Sequence, residues 1–313
     1  MAETVVTGGQ GFLGRNLTNR LIGLGEDVCS TYSYKLPENK DTPNISYFRL
    51  DVTNFNDCLK LINQENPKII YHLVAQPLVT AAQRHPLLTL ELTIRGAYNL
   101  LEAVRQSGID TKIVVYTTDK VYGENGNAQE GDRIDSVVGP YDTSKVCEDL
   151  ISRMYAKSFG MDVITLRSAN LYGRYDFHWD RLIPYLCKEV IHDRDPKLRS
   201  NGKLYRDYIY IDDILDGIIK SADSFICGDI QSGESLNFGA DIPNTPMEII
   251  DVLSKVCGKN IFPIILDNTV GELSYQHINF DKAKSLGWYP KVSIEEGIER
   301  TFFWYKNWFS NEA

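Results

Sequence analysis

Short apolar runs alternate with amphipathic stretches through the first half of the chain. Thr4–Thr7, Asp27–Tyr32, Ile45–Leu50, Ile69–Leu73, Ile113–Thr117 and Asp162–Leu166 are rich in β-branched and aromatic residues and predict strands. Between them the spacing predicts helices over Phe12–Leu24, Phe55–Gln64, Pro86–Ser107 and Tyr141–Phe159. Strands that are apolar almost throughout, alternating with helices, fit an α/β fold: a doubly wound parallel sheet covered on both faces. Such sheets bind ligands at the carboxyl ends of their strands, and Thr117–Tyr122 lies at one of these ends.

The second half is less regular. Helical patterns cover Asp180–His192, Asp212–Phe225, Pro246–Val256 and Ile294–Trp308, mixed with short strands, without a repeat, low-complexity tract or linker. The segment "RDYIYIDDILDGI", from Arg206, reads as a strand running into a helix, and Arg206–Phe225 is expected to return to the sheet side. The chain then divides softly near residue 170. Residues 1–170 with about 206–226 form one domain, and 171–205 with 227–313 a smaller C-terminal α/β domain. The aromatic stretch "TFFWYKNWF" is assigned to the core face of the last helix.

Charge narrows the function classes. The 313 residues carry a net charge of −9, which argues against a nucleic-acid partner, because neutralising phosphates needs clustered cations. One basic pocket can still take a small anion. Cysteines at 29, 58, 147, 187, 227 and 257 form no C-x-x-C pair and read as reduced thiols of a cytoplasmic protein. The five histidines have no metal-ligand spacing, so no metal is expected. The N-terminus lacks a basic flank followed by an apolar run, so no signal peptide is expected. No apolar run approaches the ~18 residues of a membrane span.

The segment "VVTGGQGFLGRNL" joins the first strand to the first helix. Gly9, Gly11 and Gly14 satisfy G-x-G-x-x-G, and Gly8, Gly11 and Gly14 satisfy G-x-x-G-x-x-G. Glycines here permit a tight turn and close approach of a pyrophosphate to the helix N-terminus. Gly8, Gln10, Gly11, Phe12, Leu13 and Gly14 are therefore the candidate dinucleotide loop; the alternative is a glycine-rich turn without a ligand. An acid for the ribose is expected about 20 residues on. Thr31 and Tyr32 stand there instead, and Arg15 and Lys35 could hold a 2′-phosphate, so NAD and NADP are both open. Asp51, followed by Val52 in "RLDVTN", is a candidate for the adenine amino group, or else a helix N-terminal charge beside Thr53.

The segment "GPYDTSKVCEDLI" puts Tyr141 and Lys145 on one helix face. A phenol of pKa near 10 needs about three units of help, roughly 4 kcal/mol, to serve as a base near neutrality. A neighbouring ammonium and a positive nicotinamide both favour the phenolate. The Tyr-x-x-x-Lys spacing is common in helices; here it accompanies the glycine loop and a hydroxyl residue, Thr118, at a strand end. That strand then closes on an adjacent acid and base, Asp119 and Lys120.

With these motifs, "LDVTN", "TTDKVYG", "RSANLYG", "RDYIYIDD" and "LGWYP" occur in a familiar order. The chain resembles the extended short-chain dehydrogenase/reductases acting on nucleotide sugars, over residues 4 to about 290. "HLVAQPLVT" with Asp119–Lys120 is most similar to the CDP-glucose 4,6-dehydratases. The resemblance implies a Rossmann-type fold with a C-terminal substrate-binding domain, bound NAD and a nucleotide-diphosphate hexose substrate. It also implies a homodimer packed through the helices at 86–107 and 141–159. In this family Tyr141 would take the proton of the sugar 4-hydroxyl, Thr118 would hydrogen-bond that hydroxyl, and Lys145 would hold the nicotinamide ribose. Lys120 would take the C5 proton and Asp119 would protonate the departing C6 oxygen. Val74, Ala75 and Gln76 fall near the nicotinamide, Gln76 also near the sugar. Asn170 and Arg206 would contact the diphosphate, with Arg181 a further candidate because a guanidinium donates two bonds at once.

A lysine base must be neutral and an aspartic acid donor protonated. Burial pushes both groups that way, while their mutual attraction opposes it. The alternative is that Asp119 and Lys120 simply pair as ions. Three positions depart from the family pattern: Val74 where a small residue is usual, Thr93 where Asn is usual, and Arg174–Tyr175 where close relatives carry more glycine. The rival readings are a 4-epimerase, a UDP-glucuronate decarboxylase and a non-catalytic nucleotide-binding regulator. The first two need Tyr141 and Thr118 but no acid–base pair; a pure binder has no use for Thr118, Tyr141 and Lys145 together.

Overall fold

A computed structural model of the protein describes residues 2–34, 43–124, 126–136, 139–268 and 274–312; Lys35 lies outside them. The early strands form where the apolar runs place them: β1 (Thr4–Thr7), β2 (Val28–Tyr32), β3 (Ile45–Arg49), β4 (Ile69–His72), β5 (Lys112–Thr118) and β6 (Val163–Ser168). With Ser235–Phe238 they make a seven-stranded sheet in the order Ser235–Phe238, β6, β5, β4, β1, β2, β3. The run from β3 to β5 is parallel, with Val5 opposite both Cys29 and Ile70. This is a Rossmann-type doubly wound sheet. Its order reverses between β1 and β4, which opens a ligand crevice beyond their carboxyl ends.

Burial explains the apolar runs. Val5, Cys29, Ile70, Ile113 and Val115 have no exposed surface. They pack in one core with Leu61, Ile62, Leu100, Leu101 and Val104 from the helices Phe55–Glu65 and Gly96–Ser107. The helix expected over Pro86–Ser107 is interrupted, with a π turn at Glu91–Arg95. That turn ends at Gly96, where a Cβ would lie 2.8 Å from Val52 Cγ2, and Asn99 Nδ2 donates to Val52 O at 2.9 Å. Thr93, inside the turn, is fully buried and its hydroxyl has no partner.

The chain separates into two compact units. The first comprises 1–121, 134–167 and 218–236; the second 122–133, 168–217 and 237–313. Among the described residues the second unit holds three two-stranded parallel sheets and the helices Leu182–Ile191, Pro246–Cys257 and Ile294–Glu312. The strand expected after Arg206 forms at Tyr208–Tyr210, but it pairs with Asn170–Tyr172 instead of joining the large sheet. It is only three residues long, and the short strand just beyond β6 satisfies its hydrogen bonds. The last helix buries Phe302 and Tyr305, and packs Trp304 and Trp308 against Phe177, so the aromatic stretch is core on one face, with Phe303 left exposed. Among the described residues no helix is long and apolar enough to cross a membrane, and no cluster of metal-ligating side chains occurs.

Candidate active site

The glycine loop turns where β1 ends. Gly8 has φ +68°, its N–H donates to Thr31 Oγ1 at 3.0 Å, and its carbonyl accepts from Gly11 N–H at 2.9 Å. A Cβ on Gly14 would sit 2.2 Å from Gly8 O, and one on Gly9 2.0 Å from Ser30 Oγ. A Cβ on Gly8 would lie 3.3 Å from both Leu73 O and Val74 Cγ2, so the loop is close against the end of β4. The helix Phe12–Gly23 starts at Gly11 without a side-chain cap, leaving its first N–H groups for an anion. A loop with no room for a side chain at Gly9 or Gly14, ending on an uncapped helix, fits a dinucleotide pyrophosphate.

The flanking candidates differ in what they already do. Phe12 is buried, while Leu13 and Gln10 are partly exposed, and Gln10 Nε2 reaches Ser30 Oγ at 3.4 Å. The Thr31 hydroxyl, expected at the cofactor, is buried and occupied by Gly8. Asp51 is exposed, and its Oδ1 accepts from the N–H and hydroxyl of Thr53 at 2.9 and 2.7 Å; Val52 is buried. Val74, Ala75 and Gln76 leave β4 partly exposed, with Gln76 Oε1 accepting from Leu78 N–H at 3.3 Å.

At the end of β5 the chain makes a single 3-10 turn, Asp119–Tyr122. Thr118 and Asp119 are only 6% and 3% exposed, and the Lys120 side chain 18%. These groups are therefore not in bulk solvent. Thr118 Oγ1 donates to Asp119 Oδ1 at 3.0 Å, and Lys120 Nζ stands 3.6 Å from the same oxygen. Asp119 Oδ2 is buried without a hydrogen bond. The neighbouring Asp142 carboxyl is pushed up by burial, with Lys120 opposing the shift and Asp119 adding to it. The pair thus faces the start of the helix Pro140–Phe159, which carries Tyr141 and Lys145.

Tyr141 is partly exposed and Lys145 is buried. Lys145 Nζ donates to Tyr116 O at 2.9 Å and to Glu148 Oε2 at 2.7 Å. Burial pushes the Glu148 carboxyl up to about 7 although Lys145 pulls it down. Across from it, burial and then the Lys145 charge lower His72 to about 3, so its ring is neutral. His72 Nδ1 lies 2.8 Å from Thr7 Oγ1, and Nε2 lies 3.8 Å from Glu148 Oε1. Glu148 and His72 lie inside "GPYDTSKVCEDLI" and "HLVAQPLVT", but neither motif gives them a role. An acid three positions after Lys145 and a histidine closing an apolar strand are the available signals. One residue further on, Asp149 accepts two bonds from Arg167 Nε and Nη2, at 2.8 and 2.7 Å, tying the helix to β6 in full burial.

The three proposed diphosphate ligands lie in the second unit. Asn170 Nδ2 donates to Asp207 O at 3.2 Å, and Arg206, adjacent to Asp207, donates from Nη1 to Tyr205 O at 2.8 Å. Arg181 is placed separately: its Nη1 bonds Asp176 Oδ2 at 3.1 Å, on a carboxylate that is wholly buried.

Comparison with known proteins agrees with this architecture. The model of the "NAD dependent epimerase/dehydratase family" matches residues 4–235. A UDP-glucuronate 4-epimerase of Thermodesulfobacterium geofontis is 29% identical, over 98% of this chain and 97% of its own. A CDP-glucose 4,6-dehydratase of Salmonella typhimurium is 28% identical, over 84% of this chain and 77% of its own. The crystal structure of UDP-glucuronic acid 4-epimerase from Bacillus cereus, in complex with UDP-glucuronic acid and NAD, has a TM-score of 0.88. It shares 25% identity and covers 97% of this chain and 99% of that one. With the glycine loop, the strand order and a match over most of its length, this chain is an enzyme of the NAD dependent epimerase/dehydratase family.

Proposed function

We propose that the protein is a nucleotide-sugar 4,6-dehydratase, with CDP-glucose its first candidate substrate. The observation that carries this reading is the buried acid–base pair Asp119–Lys120 closing β5 directly after Thr118. Epimerisation at C4 has no use for such a pair. NAD held at the glycine loop supplies reversible oxidation at C4, which acidifies the hydrogen on C5.

The side chains divide the remaining work. Tyr141 accepts the 4-hydroxyl proton, Thr118 orients that hydroxyl, and the Lys145 ammonium favours the phenolate. Lys120, having given up its own proton, takes the one on C5. Asp119 delivers a proton to the C6 oxygen, which leaves as water; the hydride taken from C4 would be returned to C6 and a proton to C5, so the net change is loss of one water. Arg206 and Asn170 serve the diphosphate, with Arg181 beside them in role. Exposed Leu150 and Met154 on the helix Pro140–Phe159, with Tyr98 on Gly96–Ser107, support a homodimer packed through these helices. Six free thiols suit a reducing, cytoplasmic setting.

A second reading, a 4-epimerase, is favoured by a UDP-glucuronate 4-epimerase that matches over nearly the full length. The deciding experiment incubates purified protein with CDP-, UDP-, GDP- and dTDP-hexoses and UDP-glucuronate in deuterated water. A product lighter by one water and deuterated at C5 supports the dehydratase. An isomer of unchanged mass assigns the epimerase, and loss of carbon dioxide a decarboxylase.

A further inference from the structure

Two buried polar atoms on neighbouring elements face each other with no partner of their own. Glu148 Oε1 and His72 Nε2 are both sealed from solvent, without a hydrogen bond, and 3.8 Å apart. Leaving buried polar groups unpaired costs about 1–3 kcal/mol each, so the arrangement requires an account. The protonation of the pair supplies it. Either Nε2–H faces an ionised carboxylate, or, with one proton more, the carboxyl O–H faces a bare Nε2 while the ring proton sits on Nδ1. Thr7 serves both tautomers, because its hydroxyl can donate to Nδ1 or accept from it at 2.8 Å.

The other carboxylate oxygen of Glu148 is bonded to Lys145 at 2.7 Å. We propose that Glu148 and His72 form a buried titrating couple that positions Lys145 and sets how much of its charge reaches Tyr141. The proposal rests on the reading of Tyr141 as the base, which a dehydratase and an epimerase share. With Glu148 ionised, Lys145 is neutralised by its neighbour. With a proton on Glu148 Oε1, Oε2 still accepts from Lys145 but as a neutral carbonyl oxygen, and the ammonium acts on the phenol at full charge. The groups facing Glu148 are Lys145 and Asp149 from its own helix and His72 from β4; those facing His72 are Thr7 from β1, Glu148 and Lys145. Glu148 and His72 are positioning residues: neither needs to touch the sugar.

The test uses Glu148→Gln and His72→Asn in the full chain. The first readout, thermal unfolding without sugar, does not involve Tyr141. His72 alone, lowered to about 3, loses stability as pH falls below its unfolded value near 6.5. Glu148 alone, raised to about 7, loses stability as pH rises above its unfolded value near 4.5. In the wild type these slopes oppose each other between about pH 4.5 and 6.5. Glu148→Gln should therefore melt lower as pH falls through that window, and His72→Asn lower as pH rises. The second readout is the pH dependence of turnover on whichever panel sugar reacts. Glu148→Gln should move the acidic limb down by about one pH unit, because the Lys145 charge is no longer offset. Wild-type melting slopes in both variants overturn the couple. Opposite slopes with an unmoved acidic limb overturn its hold on Lys145. Full activity in Tyr141→Phe would instead remove the base assignment and leave the melting slopes to judge the couple.

Discussion

Lys145 Nζ lies 2.7 Å from Glu148 Oε2, one helical turn along, in a pocket where both side chains are at most 6% exposed. The carboxylate is stabilised in its charged form mainly by that one ammonium. In Lys145→Met it must either remain a lone buried charge or take a proton. At pH 8, above its folded value of about 7, protonation is costly. Breaking a buried pair from one side costs about 3–5 kcal/mol, and we expect that loss at pH 8. At pH 5 the carboxyl holds its proton readily and the loss should be clearly smaller. Adding Glu148→Gln to Lys145→Met should restore most of the pH 8 loss. Unfolding midpoints of the three proteins at the two pH values check this, and a pH-independent loss contradicts it.

The glycines make a prediction about space. Gly14→Ala would put a Cβ 2.2 Å from Gly8 O and 2.8 Å from Gly9 Cα, both backbone, so the loop must shift. Purified Gly14→Ala should carry little NAD and bind added NAD at least tenfold more weakly. Gly23 lies at the end of the same helix, and a Cβ there would meet nothing within 4 Å. Gly23→Ala should retain NAD and gain about 0.5–1 kcal/mol of stability from reduced backbone freedom in the unfolded chain. Cofactor content by absorbance, read beside melting temperature, separates the two effects.

Much of this unit can be read from sequence, because its strands are buried on both faces and so written as unbroken apolar runs. The run Thr4–Thr7 coincides with β1. The runs for β2 to β5 agree with those strands within one residue at either end, and the run for β6 within two. Ser235–Phe238 escapes such a reading because "SLNF" has two polar residues in four, with Asn237 serving side-chain hydrogen bonds instead of a core face. The π turn at Glu91–Arg95 is illegible because its residues keep helical periodicity. The site is legible where a motif has fixed spacing, as at Gly9–Gly14 or Tyr141–Lys145. The Glu148–His72 contact joins a helix to a strand far apart in the chain, and no local pattern announces it.

The Asp149–Arg167 pair next to it should behave as an anchor. Both side chains are fully buried and two bonds join them. Asp149→Ala leaves a guanidinium buried without its main counter-charge, and should cost about 3–5 kcal/mol at neutral pH. Replacing both together, Asp149→Leu with Arg167→Met, should be far milder than the single change, since desolvation of two charges is also removed. A double-mutant cycle in melting temperature tests this. A double variant as unstable as Asp149→Ala would show that the pair contributes shape and not charge balance.

Asp119 and Lys120 can be separated by which bond each one acts on. If Lys120 removes the C5 proton, Lys120→Met should abolish deuterium uptake at C5 as well as water loss, by about 10²–10⁴-fold. If Asp119 protonates the C6 oxygen, Asp119→Asn should still allow C5 exchange in deuterated water while water loss falls by a similar factor. The near-isosteric amide keeps the hydrogen bond from Thr118, which lies 3.0 Å from Asp119 Oδ1, so a folding defect is not expected to imitate the result. Mass spectrometry of recovered substrate and product reads both events in one sample. Equal loss of exchange in both variants would mean that the two charges act only as an ion pair, and the elimination roles would have to be given up.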